Sequence, residues 1–499
     1  MIPAYFSRIF RRLFPAKQER ADACASPRPS SCYLERSDVC DTNDPTSPNG
    51  DAASGNNDSK GLNPLGTATP SDTDLQGLQQ RLLSAVSKIR TDGSADQNQM
   101  LDYLLNQAHD QTADLVSGDT SSSPVHHILA NVKSLLMHAQ VLPTTTGGVA
   151  VTTVSDEGDL VGKNPYESLD IGWTESAVCW LEHFPPNTKA VFRTNPPVIP
   201  LGDDPVSIAI AGDWGTGFVY RTDGLPTPAE KVARKIKDLA PTYAVHLGDV
   251  YYAGTNIEEQ QKFICNWPSG KNGSFTLNSN HEMYSGANGY YLALDDPGKK
   301  FAAQNGNSYF ALSNKDWLVI ALDTAYHADE IHLYQHGFLD PAQCAFIDGL
   351  MARADAPKRV ILVTHHNGLS VDGTTPSALW GQLASRFAGV ELWWYWGHMH
   401  AGIVYSDRNT SGQMQSSSSG GGIIHARCAG HGAVPAGEPD SLIGNPGAVW
   451  HENRTVADLL YAGRVYNGLI SLTLTGADLT EEFIDEDGAT VYAKTFLAA

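Results

Sequence analysis

The sequence predicts an α/β protein built as a layered sandwich of two mixed β-sheets flanked by helices. Three observations lead there. A β-α-β unit runs from Val206 to Leu247. Strand-length apolar runs end again and again in a short polar turn that carries a carboxylate or an imidazole. The last hundred residues carry one short β-pattern after another.

The unit opens with Val206-Ser207-Ile208-Ala209-Ile210-Ala211, which reads as a buried strand running into Gly212-Asp213. Thr227-Pro228-Ala229-Glu230 then starts a helix, with Thr227 as N-cap, proline in the first turn and Glu230 closing a capping box. A second strand, residues 243–247, delivers Gly248-Asp249. A right-handed crossover between parallel strands puts both aspartates on one sheet edge.

Downstream, residues 274–277 lead to Asn280-His281, and 308–312 with 317–322 read as a hairpin across Asn314-Lys315. Asp340-Pro341 caps a helix, 358–363 is a strand ending at His365, a helix follows near 377–387, and 390–396 ends at His398. Strands are expected at 403–406, 422–427, 469–474, 479–484 and 491–496, with a flexible loop at 416–422.

Ahead of this main domain, 205–499, the chain divides into three parts. Residues 1–73 read as a disordered basic, low-complexity tail, because Ser, Pro, Asn, Asp and Gly cannot bury enough surface to offset ordering entropy. Within it, Tyr5, Phe6, Ile9, Phe10 and Phe14 alternate with Arg8, Arg11 and Arg12, the pattern either of an inconsequential tail or of membrane-surface contact by residues 1–20. Residues 74–142 form a small helical region with apolar spacing at Leu75/Leu78/Leu82, Met100/Leu101/Leu104 and Ile128/Leu129/Val132. This region reads as a packing or partner-docking appendage of unknown partner, and His126, His127 and His138 read as helix-surface residues. Residues 143–204 are a linker and lead-in arm, in which Trp173, Trp180, Leu181 and Phe184 precede Pro185-Pro186 and are expected to pack as a strand or arm.

At 499 residues the chain has room for two or three domains. A net charge of −21 repels polyanions over most of the surface, so no nucleic-acid partner is expected and an anionic substrate needs a local positive charge. No run of about 18 apolar residues exists to span a bilayer. The 7 cysteines include no C-x-x-C pair, and no unbroken apolar signal opens the chain, which favours a cytoplasmic over a secreted location.

The chemistry gathers at five places: Asp213-Trp214-Gly215, Gly248-Asp249, Asn280-His281-Glu282, Thr364-His365-His366 and Gly397-His398-Met399-His400. A carboxylate with an oxygen for each of two neighbours can hold two cations side by side, and oxygen and imidazole donors together suit a two-metal hydrolytic centre. Tyr252, three residues after Asp249, is placed to return to the cluster as a phenolate donor. The glycines beside the donors, Gly212, Gly215, Gly248 and Gly397, permit tight turns.

In this order the five motifs resemble the calcineurin-like metallophosphoesterase superfamily, whose pattern is D, then G-D, then G-N-H-D/E, then a strand-terminal H, then G-H-x-H. The match is nearest the purple acid phosphatase type, because Asp213 is followed by Trp214-Gly215 where most of the superfamily has D-x-H, and Tyr252 stands where that type carries a compensating tyrosine. The resemblance covers residues 205–496, with Ser279 in place of the glycine before Asn280, and makes 205–499 the expected catalytic domain.

It implies that Asp213, Asp249, Tyr252 and His400 surround one metal and that Asp249 bridges to a second held by Asn280, His365 and His398. Two metal ions are implied, Fe(III) plus a divalent Fe, Zn or Mn. His365 is preferred over His366 because it directly follows the strand and Thr364. Asp249 and His281 are the implied catalytic residues, His281 as general acid or phosphate-binding donor. The expected reaction is hydrolysis of a small phosphomonoester by activated water attacking phosphorus in line, with tyrosinate-to-iron colour. The alternatives are a phosphodiesterase acting on a cyclic nucleotide or phospholipid head group, and a non-catalytic metal- and phosphate-binding scaffold. His246 reads as strand packing or as a group orienting a ligand, His425 and His431 as cleft-lining or structural, and Asp323 as a turn residue.

Overall fold

The structure, a computed structural model, describes residues 72–102, 105–106, 132, 153–154, 160–161, 166, 170–183, 188–202, 204–217, 225–296, 300–330, 332–357, 359–415, 422–434, 442–458 and 463–498. Nearly all of the tail expected over 1–73, most of the helical pattern at 128–136, most of the loop at 416–422, and His126, His127, His138 and Phe184 lie outside these residues.

In chain order the strands of the two large sheets are β1 (Val198–Pro200), β2 (Val206–Ala211), β3 (Tyr243–His246), β4 (Gly273–Thr276), β5 (Phe310–Ser313), β6 (Trp317–Leu322) and β7 (Arg359–Thr364). There follow β8 (Glu391–Trp396), β9 (Gly402–Tyr405), β10 (Ile424–Ala429), β11 (Ala448–His451), β12 (Gly468–Thr475), β13 (Asp478–Asp485) and β14 (Thr490–Phe496). Helices α1 (Asp72–Asp92), α2 (Gly172–His183), α3 (Pro228–Leu239), α4 (Asn280–Met283), α5 (Asn288–Asp295), α6 (Pro341–Met351) and α7 (Ala378–Leu383) accompany them. Among the described residues, no helix is long and apolar enough to cross a membrane.

Residues 153–154 and 160–161 pair antiparallel as a separate two-stranded sheet. Of the two large sheets one has six strands in the order β14-β13-β12-β2-β3-β4 and the other eight in the order β11-β9-β10-β8-β7-β6-β5-β1. Both are mixed: β2, β3 and β4 run parallel, as do β6, β7, β8 and β10, while β12 pairs antiparallel with β2 and β9 with β10. The predicted sandwich of two mixed sheets with helices outside is the observed architecture. The hairpin across Asn314 is present too, the Asn314 side-chain oxygen accepting from the Asp316 and Trp317 amides at 2.9 and 2.8 Å.

Alternation along the strands assigns the layers. Ile208, Ile210, Val245 and Phe275 of one sheet share a core with Val319, Ile361, Val363, Trp393 and Tyr395 of the other. On the outer faces Ala209 and Ala211 pack with Val232, Ala233 and Ile236 of α3, and Ile320, Leu322 and Leu362 pack with Ile347 of α6 and Leu379 of α7. Burial on both faces is why these strands read as continuous apolar runs. A buried ion pair crosses the middle: Arg427 of β10 donates to Glu481 of β13 at 2.9 Å, and the Tyr395 hydroxyl donates to the same carboxylate at 2.6 Å.

The lead-in segment differs from expectation. Residues 172–183 are a helix rather than a strand or arm, with Trp173, Val178, Cys179, Trp180 and Leu181 buried. Asp170 starts it, accepting the Gly172 amide on its side chain at 3.1 Å, while its carbonyl accepts from Trp173. Helix α1 lies against α2, and Arg81 locks the pair, donating to Glu182 at 2.9 and 2.8 Å and to Glu175 at 3.1 Å. The apolar residues of both helices join the core around Trp214 and Val250.

Two histidines, His246 and His431, are buried with no carboxylate in hydrogen-bond contact among the described residues. Burial pushes His431 down to about 4 and His246 down to about 3, against an ordinary value of 6.5. An unfolded chain takes up those protons below about pH 6.5 whereas the folded one refuses them until much lower pH, so stability falls as the pH drops. For His431 alone the loss approaches about 3 kcal/mol by pH 4. Urea unfolding at stepped pH should show this slope, and His431→Gln should flatten it by about one proton.

Candidate metal centre

The site forms where strands of both sheets end. In the six-stranded sheet Ala211, His246 and Thr276 stand in register, followed by Asp213, Asp249 and Asn280. In the eight-stranded sheet Leu322, Thr364 and Trp396 are in register, and His365, His398 and His400 follow the last two. These are the carboxyl ends of parallel strands, where open α/β sheets place their ligands. Asp213, Asp249, His398 and His400 adopt φ values of 58°, 73°, 70° and 49°. This left-handed turn swings each side chain back across the strand end. Gly397 is required at the closest point, since a Cβ there would sit 2.7 Å from Asp213 Oδ2.

Two sets of donor atoms result. Asp249 Oδ1, Asn280 Oδ1, His365 Nε2 and His398 Nδ1 form the first: His365 Nε2 lies 2.9 Å from Asn280 Oδ1, 3.2 Å from His398 Nδ1 and 3.2 Å from Asp249 Oδ1. Asp213 Oδ1, Asp249 Oδ2, His400 Nε2 and the Tyr251 hydroxyl form the second. There the hydroxyl is 3.3 Å from Asp213 Oδ1, 3.0 Å from Asp249 Oδ2 and 2.9 Å from His400 Nε2, with His400 Nε2 3.4 Å from Asp213 Oδ1. Four donors each about 2.1 Å from a tetrahedral cation stand about 3.4 Å apart, so both sets have the spacing of a metal site. Asp249 belongs to both, through different oxygens.

The tautomers are fixed by carbonyls, which only accept. His365 Nδ1 is 2.8 Å from the Leu247 carbonyl oxygen, so its proton sits there and Nε2 keeps the lone pair that faces the cluster. His366 is also close to His365 and His398, but its Nε2 donates to the Tyr334 carbonyl at 2.7 Å and its Nδ1 faces the Thr324 hydroxyl at 2.8 Å. Both ring nitrogens of His366 are thereby engaged, whereas His365 keeps Nε2 turned to the cluster. The Asn280 amide nitrogen donates to the Tyr284 hydroxyl at 3.1 Å, turning its oxygen toward the cluster.

Tyr252 is the exception among the expected donors. Its hydroxyl donates to Asp170, away from the cluster, and its ring stacks on Tyr166 at 4.9 Å. Tyr251 supplies the phenol instead. The turn after Asp249 carries the first of the two tyrosine side chains back over the strand ends, while the second is taken up on the side of Asp170 and α2. Lys262 holds this turn, donating to the Tyr251 carbonyl at 2.9 Å.

The electrostatics suit cations. Burial, followed by repulsion from Asp249, pushes Asp213 well above the ordinary carboxylate range. Burial acts on Asp249 in the same direction, but its neighbours together, His365 and His281 first and then a hydrogen bond with the Asp213 carboxyl, hold that carboxyl well below the range. Two carboxyls this close share a proton unless positive charge replaces it. Burial pushes down His365, His398 and, to about 3, His400, keeping each imidazole in the neutral form that donates a lone pair.

Glu282, beside His281, has a role that its position in the sequence does not announce. It is buried, accepts from the Val250 amide at 3.1 Å, and shares the Ser279 hydroxyl with Asp249. Ser279 thus does what a glycine cannot, tying Asp249 to α4. Asp323 accepts from Asn278 and from the Ala325 and Tyr326 amides, as a turn residue does. His246 faces the Thr276 hydroxyl and Gly248 amide, and packs on Phe263. His425 lies at the opposite end of the strands from the donors, near the start of β10 between Asp407 and Glu391, and the His431 ring packs by Phe483.

No family model matches the chain, and no curated protein matches it. Among solved structures it is similar to a conserved uncharacterised protein of Streptococcus pneumoniae described as a predicted phosphoesterase, with 8% identity and a TM-score of 0.23, over 59% of this chain and 99% of that one. It is also similar to Vps29 of Chaetomium thermophilum, solved with a cyclic peptide, with 9% identity and a TM-score of 0.22, over 59% of this chain and 97% of that one. Likenesses at these scores carry no argument about chemistry. The donor geometry carries it.

Proposed function

We propose that the chain is a metal-dependent phosphoric ester hydrolase of the metallophosphoesterase type, acting on a small phosphomonoester. The observation behind this reading is the division of Asp249 between two four-donor sets, one oxygen to each. Asp213, Asp249, Tyr251 and His400 would hold one ion and Asp249, Asn280, His365 and His398 the other. A phenolate and imidazoles beside carboxylates suit a trivalent iron with a divalent partner. When bound, the ions supply the positive charge that draws phosphoryl oxygens into a chain of net charge −21 and acidifies a water.

The protein residues do the rest. His281 Nδ1 lies 2.6 Å from the Tyr252 carbonyl oxygen, so that nitrogen carries a proton and Nε2 faces the cluster, 4.0 Å from Asp249 Oδ2. As the imidazolium, with a second proton on Nε2, the ring can pass that proton to the departing ester oxygen and return to the neutral Nδ1–H form. Trp173, Tyr251 and Tyr284 flank the ring, excluding water from three sides.

Elemental analysis of purified protein should find two metal ions per chain. The same preparation should hydrolyse an aryl phosphate monoester faster than the corresponding diester. The reverse preference would assign a phosphodiesterase, and metal without any ester hydrolysis would sink the enzymatic reading.

A further inference from the structure

We propose that helix α2, which belongs to neither sheet, is a working part of the site: Trp173 and Ser176 are positioning residues that set the orientation of His281. The geometry rests on contacts described for this chain, and only its kinetic consequence rests on the phosphoesterase reading.

The Tyr252 carbonyl is the pivot. It accepts the Ser176 hydroxyl at 2.7 Å from one side and His281 Nδ1 at 2.6 Å from the other. The acceptor that selects the His281 tautomer is therefore itself held by a side chain of α2. Three aromatic rings pack around His281, at centroid distances of 4.7 Å for Tyr251, 4.9 Å for Tyr284 and 5.7 Å for Trp173. The first two belong to the strand-end turn and to the residue after α4. The third is the second residue of α2, and it also meets Tyr251 and Tyr252 edge-on at 5.8 and 5.1 Å.

Helix α2 is fitted tightly enough to transmit position. A Cβ on Gly172 would overlap the Tyr252 ring, so only glycine lets the helix start this close. Asp170 anchors that start, accepting from the Gly172 and Tyr166 amides at 3.1 and 2.8 Å and from the Tyr252 hydroxyl. At the far side Arg81 of α1 pins α2 through Glu175 and Glu182. The chain ahead of the sheets thereby reaches the imidazole in two contacts.

A proton donor to the leaving oxygen matters most when the leaving group is poor. Losing its orientation should lower kcat more for an alkyl phosphate than for a 4-nitrophenyl phosphate, with KM little changed. Expected values for Ser176→Ala and Trp173→Ala are losses of about tenfold to a hundredfold on the alkyl ester and about threefold on the aryl one, with Trp173→Phe recovering most of the loss.

The test uses the full-length protein loaded with zinc, which is diamagnetic. In histidine-labelled protein, the Nδ1–H signal that disappears in His281→Gln should be sharp and slow to exchange in the wild type. It should broaden or exchange faster in Ser176→Ala and Trp173→Ala and return in Trp173→Phe. An unchanged signal in both truncated variants overturns the proposal, as does an equal loss on both esters. A wild type that hydrolyses neither ester, yet shows the signal and its sensitivity to α2, supports the positioning role while removing the phosphoesterase reading.

Discussion

Asp249→Asn is expected to lose both metal ions and the hydrolytic activity together. The substitution keeps the shape and the left-handed backbone, which asparagine tolerates well, but it replaces one of the two shared oxygens with a donor nitrogen that cannot coordinate. Each of the two donor sets is then deprived of charge, and one of them also loses an atom. Several kcal/mol of charge stabilisation disappear, so kcat/KM should fall by about a thousandfold or more. Elemental analysis beside the rate measurement checks it. Full metal content in an inactive variant would mean that Asp249 acts on the reaction without holding the ions. Full activity would refute the two-set arrangement.

Tyr251→Phe should be nearly as damaging, and Tyr252→Phe should not. The Tyr251 hydroxyl is 2.9 to 3.3 Å from three donors of one set, whereas the Tyr252 hydroxyl turns to Asp170. Burial and then the Asp249 charge push the Tyr251 phenol well above its ordinary value, so a strongly charged cation is what would make it a phenolate. Loss of that donor is expected to lower metal affinity and activity by about a hundredfold. In iron-loaded protein the tyrosinate colour should vanish in Tyr251→Phe and persist in Tyr252→Phe. The opposite pattern, read by visible absorption, would return the ligand role to Tyr252.

The strand ends are legible in the sequence because a central strand buried on both faces leaves an unbroken apolar run, and the first polar residue after it marks the edge. Asp213, Asp249, Asn280, His365, His398 and His400 all stand within four residues of such a run's end, and the structure brings them together. Which of two adjacent tyrosines turns inward is not legible, because the backbone path beyond Asp249 decides it and composition is silent on that path. Helix α2 escapes sequence reading for a different reason. Two tryptophans before a proline pair resemble an arm, while the apolar spacing that makes residues 173–181 helical is only about two turns long. Asp170 and Ser176 each reach Tyr252 and Glu282 reaches Val250, partners far away in the chain that spacing cannot reveal.

Asp213, Asp249, His398 and His400 share a backbone conformation that glycine occupies freely and other residues occupy under tension, of order 1–3 kcal/mol each. Aspartate and histidine are among the types that endure it best. A lineage released from selection for the reaction would gain ruggedness by drifting toward glycine at these places, and every such gain would erase a donor. Durability and chemistry pull in opposite directions on the same four peptide units.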